Sequence, residues 1–103
     1  MSAPRAPKGT YDLLPDEATR RDAMVSTAAR VFAAYGYRRM VTPEFEDTGL
    51  FERGVGEATD IVRKEMYTFA DKGGRSLTLR PEGTAPICRA YLEHGMQREP
   101  QPV

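Results

Sequence analysis

A chain of 103 residues is long enough for one domain or part of one, with a modest core. Its 15 Lys and Arg balance 15 Asp and Glu, so no net field draws it toward nucleic acid or a membrane surface; any such contact must be a local patch. A lone cysteine, Cys88, excludes an internal disulfide, and no apolar run has the length of a signal peptide core or a membrane span, so the expected location is cytoplasmic, without membrane contact.

Residues 1–10 are rich in Pro, Ala and Gly and read as an extended lead-in. Pro15 then suits a first helical position, and Asp16 and Glu17 favour the positive end of a helix dipole. Met24, Ala28, Val31, Phe32 and Tyr35 recur at helical spacing and are expected to form a core stripe. Gly36 stands where a helix would end, so the pattern predicts a helix over residues 15–35. Tyr37-Arg38-Arg39-Met40-Val41-Thr42 reads as a strand stopped by Pro43. A short helix is expected over residues 48–53.

Met66-Tyr67-Thr68-Phe69 and Leu77-Thr78-Leu79 flank a Gly-Gly turn and predict a hairpin. Alternation puts Leu77 and Leu79 on one face of the second strand and Thr78 and Arg80 on a polar one. Pro81 ends that strand. A last helix from about residue 82 carries Ile87, Cys88, Tyr91 and Leu92 as its apolar stripe and ends near Gly95. The order is that of an α+β arrangement on antiparallel strands, without the regular alternation of a doubly wound parallel sheet.

Few residues carry chemistry on local grounds. Gly54-Val55-Gly56 lacks the third glycine of a dinucleotide-binding turn and follows no parallel strand, so it is not read as a phosphate loop. Cys88 has no ligand spacing around it, His94 stands alone near a helix end, and no metal site is expected. Glu82-Gly83-Thr84 lies past a strand end at a helix start. There a carboxylate and a hydroxyl suit a substrate ammonium; they also suit a helix cap and a first-turn acid, which are commoner than sites. Arg80, two residues before Glu82, either faces the same site or forms a structural ion pair.

Three segments resemble the histidyl-tRNA synthetases, a family of class II aminoacyl-tRNA synthetases. They are Gly9-Thr10-Tyr11-Asp12-Leu13-Leu14-Pro15; the stretch from Tyr35-Gly36-Tyr37 through Thr42-Pro43-Glu44-Phe45-Glu46 to Leu50-Phe51; and a run of three strings. These strings are Gly56-Glu57-Ala58-Thr59-Asp60-Ile61-Val62, Lys64-Glu65-Met66-Tyr67-Thr68-Phe69 and Leu79-Arg80-Pro81-Glu82-Gly83-Thr84. The resemblance covers nearly the whole chain and implies that residues 1–103 are the N-terminal part of a catalytic domain. It implies an ATP-dependent ligase that activates histidine to its adenylate and transfers it to tRNA(His), with Mg²⁺ accompanying ATP in the full-length enzyme and neither held by this segment alone.

It assigns substrate binding to Glu82 and Thr84 at the histidine α-amino group, and Arg80 joins them as a candidate on its position two residues before Glu82; no catalytic residue is assigned in this segment. It assigns Val31, Phe32 and Pro43, within motif 1, to a homodimer interface. The arginines of motifs 2 and 3 and the anticodon-binding domain would lie further along, so the 103 residues are expected to be inactive alone. Asp60, Lys64, Glu65 and Tyr67 belong to a family loop suited to closing over bound adenylate. The competing expectation is the non-enzymatic regulatory subunit of ATP phosphoribosyltransferase, a synthetase paralogue.

Overall fold

Pro15 opens the first helix, α1 (Pro15–Ala34), with Asp16 and Glu17 in its first turn. Its end explains Gly36. The Gly36 N–H donates to the Ala33 carbonyl and the Tyr37 N–H reaches back to the Phe32 carbonyl, both at 3.0 Å. This is a Schellman ending, and it requires the left-handed backbone of Gly36 at φ 89°. The apolar contact that accompanies such an ending is the edge-on packing of Phe32 and Tyr37, with ring centroids 6.3 Å apart. Gly36→Ala is therefore expected to lower stability by about 1–2 kcal/mol through the left-handed penalty alone, read as a shift in the denaturant midpoint.

The computed structural model describes residues 3–54 and 65–103. Residues 1–38, with Pro102, form one compact unit and residues 39–101, with Val103, the other. The first unit is essentially α1, and α1 buries none of its residues. The stripe expected as core is exposed: Phe32 is 60% and Tyr35 73% accessible. A single helix has no opposing element within its own unit to cover an apolar face.

The strand expected at residues 37–42 does not form. Pairing begins beyond Pro43, whose missing N–H cannot join a ladder, with the Arg80 N–H donating to the Glu44 carbonyl. The strand is β1 (Phe45–Asp47), followed directly by α2 (Thr48–Gly54). The hairpin forms as expected, as β2 (Thr68–Ala70) and β3 (Ser76–Leu79). Its turn is organised by Asp71, whose Oδ1 accepts from the Gly73 and Arg75 N–H groups at 2.9 and 2.8 Å. The last helix, α3 (Thr84–Glu93), is followed by a short 3₁₀ turn, Met96–Arg98.

The sheet is antiparallel with β3 central, in the order β1-β3-β2. The α+β expectation holds. The faces hold a surprise, since the polar one is the buried one. Thr78 is fully buried, and its register partners are Glu46 on β1 and Thr68 on β2. A line of four hydroxyls secures this face: Thr68 to Thr78 at 2.9 Å, Thr78 to Thr48 at 2.9 Å, Thr48 to Ser76 at 2.7 Å. Buried polar groups are tolerable when paired in this way. The opposite face carries Phe45, Phe69 and Leu79, all more than two-fifths exposed, with the two phenylalanine rings packed edge-on at 5.9 Å.

Apolar burial is slight. Among the described residues the buried hydrophobic side chains are Phe51 of α2 and Ala90 of α3, joined by Pro86. Ile87, Cys88 and Leu92, expected as the apolar stripe of α3, are exposed, and Tyr91 is half-buried. The face of α3 that meets the rest of the unit is set by Pro86, Ala90 and the charged Arg89, so counting apolar residues misjudged its orientation.

Candidate functional site

A groove of about 1310 Å³ runs between the β1–α2 corner and α3. Glu82, Thr84, Ala85, Cys88, Arg89 and Glu93 line it from one side, and Pro43, Glu46, Asp47, Leu50 and Phe51 from the other. The spacing 84, 85, 88, 89 is one helical face, so α3 presents its first two turns to the groove.

Glu82 sits just before α3, whose N-cap is Gly83. Its two carboxylate oxygens accept from the first free backbone N–H groups of the helix, Thr84 at 2.6 Å and Ala85 at 3.0 Å. These contacts hold its carboxyl below the usual carboxylate value: the Ala85 N–H contributes most, desolvation opposes it, and the Thr84 N–H and hydroxyl add to the lowering. Glu82 is thus both the cap of α3 and an oriented anion, which joins the two local readings of this position. The carboxylate has four lone-pair positions; the two N–H groups and the Thr84 hydroxyl act on it, which leaves room for another donor. Gly83 has φ −104°, and a Cβ there would meet nothing within 4 Å, so among the described residues nothing in the fold demands a glycine.

Arg80 lies elsewhere. Its guanidinium donates to the Thr42 hydroxyl at 3.2 Å and pairs with Glu44 at 3.4 Å, just beyond the ends of β1 and β3. It does not line the groove, and this geometry is that of the structural ion pair. Pro43 lines the groove, while Val31 and Phe32 are exposed on α1. Of the family loop, residues 55–64 lie outside the described residues, Asp60 and Lys64 among them; Glu65 borders the groove and Tyr67 is exposed. No helix among the described residues is long and apolar enough to cross a membrane.

Reading the residues one at a time missed Arg89 and Glu46. The Arg89 guanidinium grips the Glu46 carboxylate with two contacts, Nε to Oε2 at 3.0 Å and Nη2 to Oε1 at 2.7 Å. Its third arm donates from Nη1 to Glu93 Oε2 at 2.6 Å. The fork raises the arginine's already high pKa, chiefly through Glu46 and then Glu93. The Glu93 contact was legible as an i, i+4 pair. The Glu46 contact spans 43 positions and leaves no local trace.

The sequence profile described as histidyl-tRNA synthetase matches residues 9–102. The chain belongs to the histidyl-tRNA synthetase family. It is 63% identical to a histidine–tRNA ligase of Dehalococcoides mccartyi over 99 residues, which are 96% of this chain and 24% of that relative. The chain therefore spans about a quarter of the length of the curated relatives it matches. Apo histidyl-tRNA synthetase of S. aureus has the same fold over 95% of this chain and 22% of its own, with TM-score 0.80 and 42% identity. A Bacillus halodurans structure described as an ATP phosphoribosyltransferase regulatory subunit/histidyl-tRNA synthetase matches over 93% of this chain and 24% of its own, with TM-score 0.72 and 26% identity. In this chain Glu82 and Thr84 stand side by side on one groove.

Proposed function

We propose that the protein carrying this chain is a histidine–tRNA ligase of class II, acting in the cytoplasm. It activates histidine with ATP, accompanied by Mg²⁺, to histidyl-adenylate and transfers the histidyl group to tRNA(His). The observation that carries this reading is the 63% identity to a histidine–tRNA ligase across 96% of the chain. The geometry agrees with it. The free lone pairs of Glu82 and the Thr84 hydroxyl suit the α-ammonium of an amino acid, and the helix that orients Glu82 keeps it ionised. Holding the amino acid in place is the positioning task that in-line attack on a phosphate requires. The groove exceeds the ~300–1,000 Å³ of an ordinary small-molecule pocket, leaving room for more than the amino acid. The exposed Val31 and Phe32 suit a homodimer contact, which we extend to Pro43 on the family resemblance.

The regulatory subunit of ATP phosphoribosyltransferase is the second reading. It draws on the Bacillus halodurans structure and stands behind because that match is 26% identical. Histidine-dependent ATP–pyrophosphate exchange separates the two. Exchange is expected from the full-length protein and not from the 103 residues alone, because the family resemblance assigns the phosphate-binding arginines to later residues. A full-length protein that binds histidine yet shows no exchange would favour the regulatory subunit.

A further inference from the structure

Glu82 makes its described hydrogen bonds to the first turn of α3 and not to the sheet. It therefore stands wherever that turn stands. The buried side chains of α3 are the small Pro86 and Ala90, which resist sliding poorly; Tyr91 is half-buried, and Ile87 and Leu92 are exposed. The directional tie is the Arg89 fork on Glu46, the one side-chain hydrogen-bonded link from α3 to the sheet among the described residues. Its acceptor end is rigid, because Glu46 lies beside the fully buried Thr78, itself held by the hydroxyls of Thr48 and Thr68. Its donor end lies five residues from Thr84, about 7.5 Å along the axis, and both residues line the groove. A planar two-point grip fixes both the rotation and the translation of the helix, as a point charge would not.

We infer that Arg89 is a positioning residue for amino-acid binding: through Glu46 it sets the first turn of α3, and with it the Glu82 carboxylate, against the groove. The inference rests on the reading of Glu82 and Thr84 as the ammonium site. It requires Arg89 to affect histidine binding only through Glu82.

The test is a double-mutant cycle in the full-length protein. L-Histidine affinity is measured by calorimetry, with the KM for ATP and the thermal midpoint followed in parallel. Arg89→Lys keeps the charge and loses the fork. It is expected to weaken histidine about tenfold, the loss of roughly one charge-assisted hydrogen bond's worth of placement, with the KM for ATP within about twofold. Once Glu82→Gln is present, Arg89→Lys should cost less than about twofold more. Glu46→Gln, which spoils the grip from the other side, should act in the same direction and serves if Arg89→Lys fails to fold. Additive losses from Arg89→Lys and Glu82→Gln, or equal losses for histidine and ATP, would overturn the inference and leave Arg89 a stability residue. If Glu82→Gln weakens histidine and Arg89→Lys does not, the inference alone falls. If Glu82→Gln has no effect, the ammonium site falls and this inference with it.

Discussion

Replacing Glu82 with alanine in the full-length protein is expected to weaken L-histidine binding by roughly 10- to 150-fold, the equivalent of about 1.5–3 kcal/mol for a charge-assisted hydrogen bond. The accompanying loss of stability should be small, no more than about 1 kcal/mol, because an exposed anion at a helix N-terminus contributes at that level. The two effects are separable by calorimetry and thermal unfolding of the same variant. Lost stability with unchanged histidine affinity would make Glu82 a cap and nothing more. The acid dependence has a definite sign. The carboxyl is held below its ordinary value of 4.5 in the folded chain. Its capping contribution is thus fully present above that ordinary value and is lost as pH falls through the lower, folded one. Histidine affinity should accordingly show no Glu82-linked loss between pH 7 and about 5, followed by nuclear magnetic resonance titration or calorimetry.

Arg89→Ala should be strongly destabilising, at about 3 kcal/mol, read from the denaturant midpoint of the full-length protein. The reason is what it leaves behind. The Glu46 side chain is only 8% exposed and would remain as a buried carboxylate without its counterion. The paired change Glu46→Leu with Arg89→Met removes both charges and is expected to recover most of that loss, since a buried ion pair often contributes little net stability over an apolar replacement. If Arg89→Ala cost under about 0.5 kcal/mol, the pair would have to be solvated in the working protein, and its value as a mechanical tie would go with it.

Much of the fold was legible because its signals are local. Pro15 and Gly36 bracket α1 by chemistry that acts within four residues, and Asp71 with Gly74 builds the hairpin turn the same way. What escaped depends on distant partners. Alternation correctly separated Leu77 and Leu79 from Thr78 and Arg80, and could not say which face would be covered. That is decided by Thr48, thirty positions before Thr78, and by α3 reaching β1 through Arg89. Likewise Pro43 announced the end of a ladder, while the strand lies just beyond it, because the segment that pairs is chosen by Leu79 and Arg80. For the candidate site, Glu82 and Thr84 were visible as a pair beside a helix start. The groove they share with Glu46 was not, since it exists only once residues 46 and 89 meet.

The hydroxyl line under the sheet has a direction. Thr78 gives its proton to Thr48, so Thr68 must give to Thr78, which has no second proton to offer. Thr48 keeps its own proton and a second lone pair, so it can meet Ser76 as donor or as acceptor. The two ends are therefore unequal. Losing the hydroxyl at residue 68 would idle a lone pair on Thr78, which proteins tolerate. A row that looks symmetric on paper is pinned to one sense at Thr68 and free to turn at Ser76.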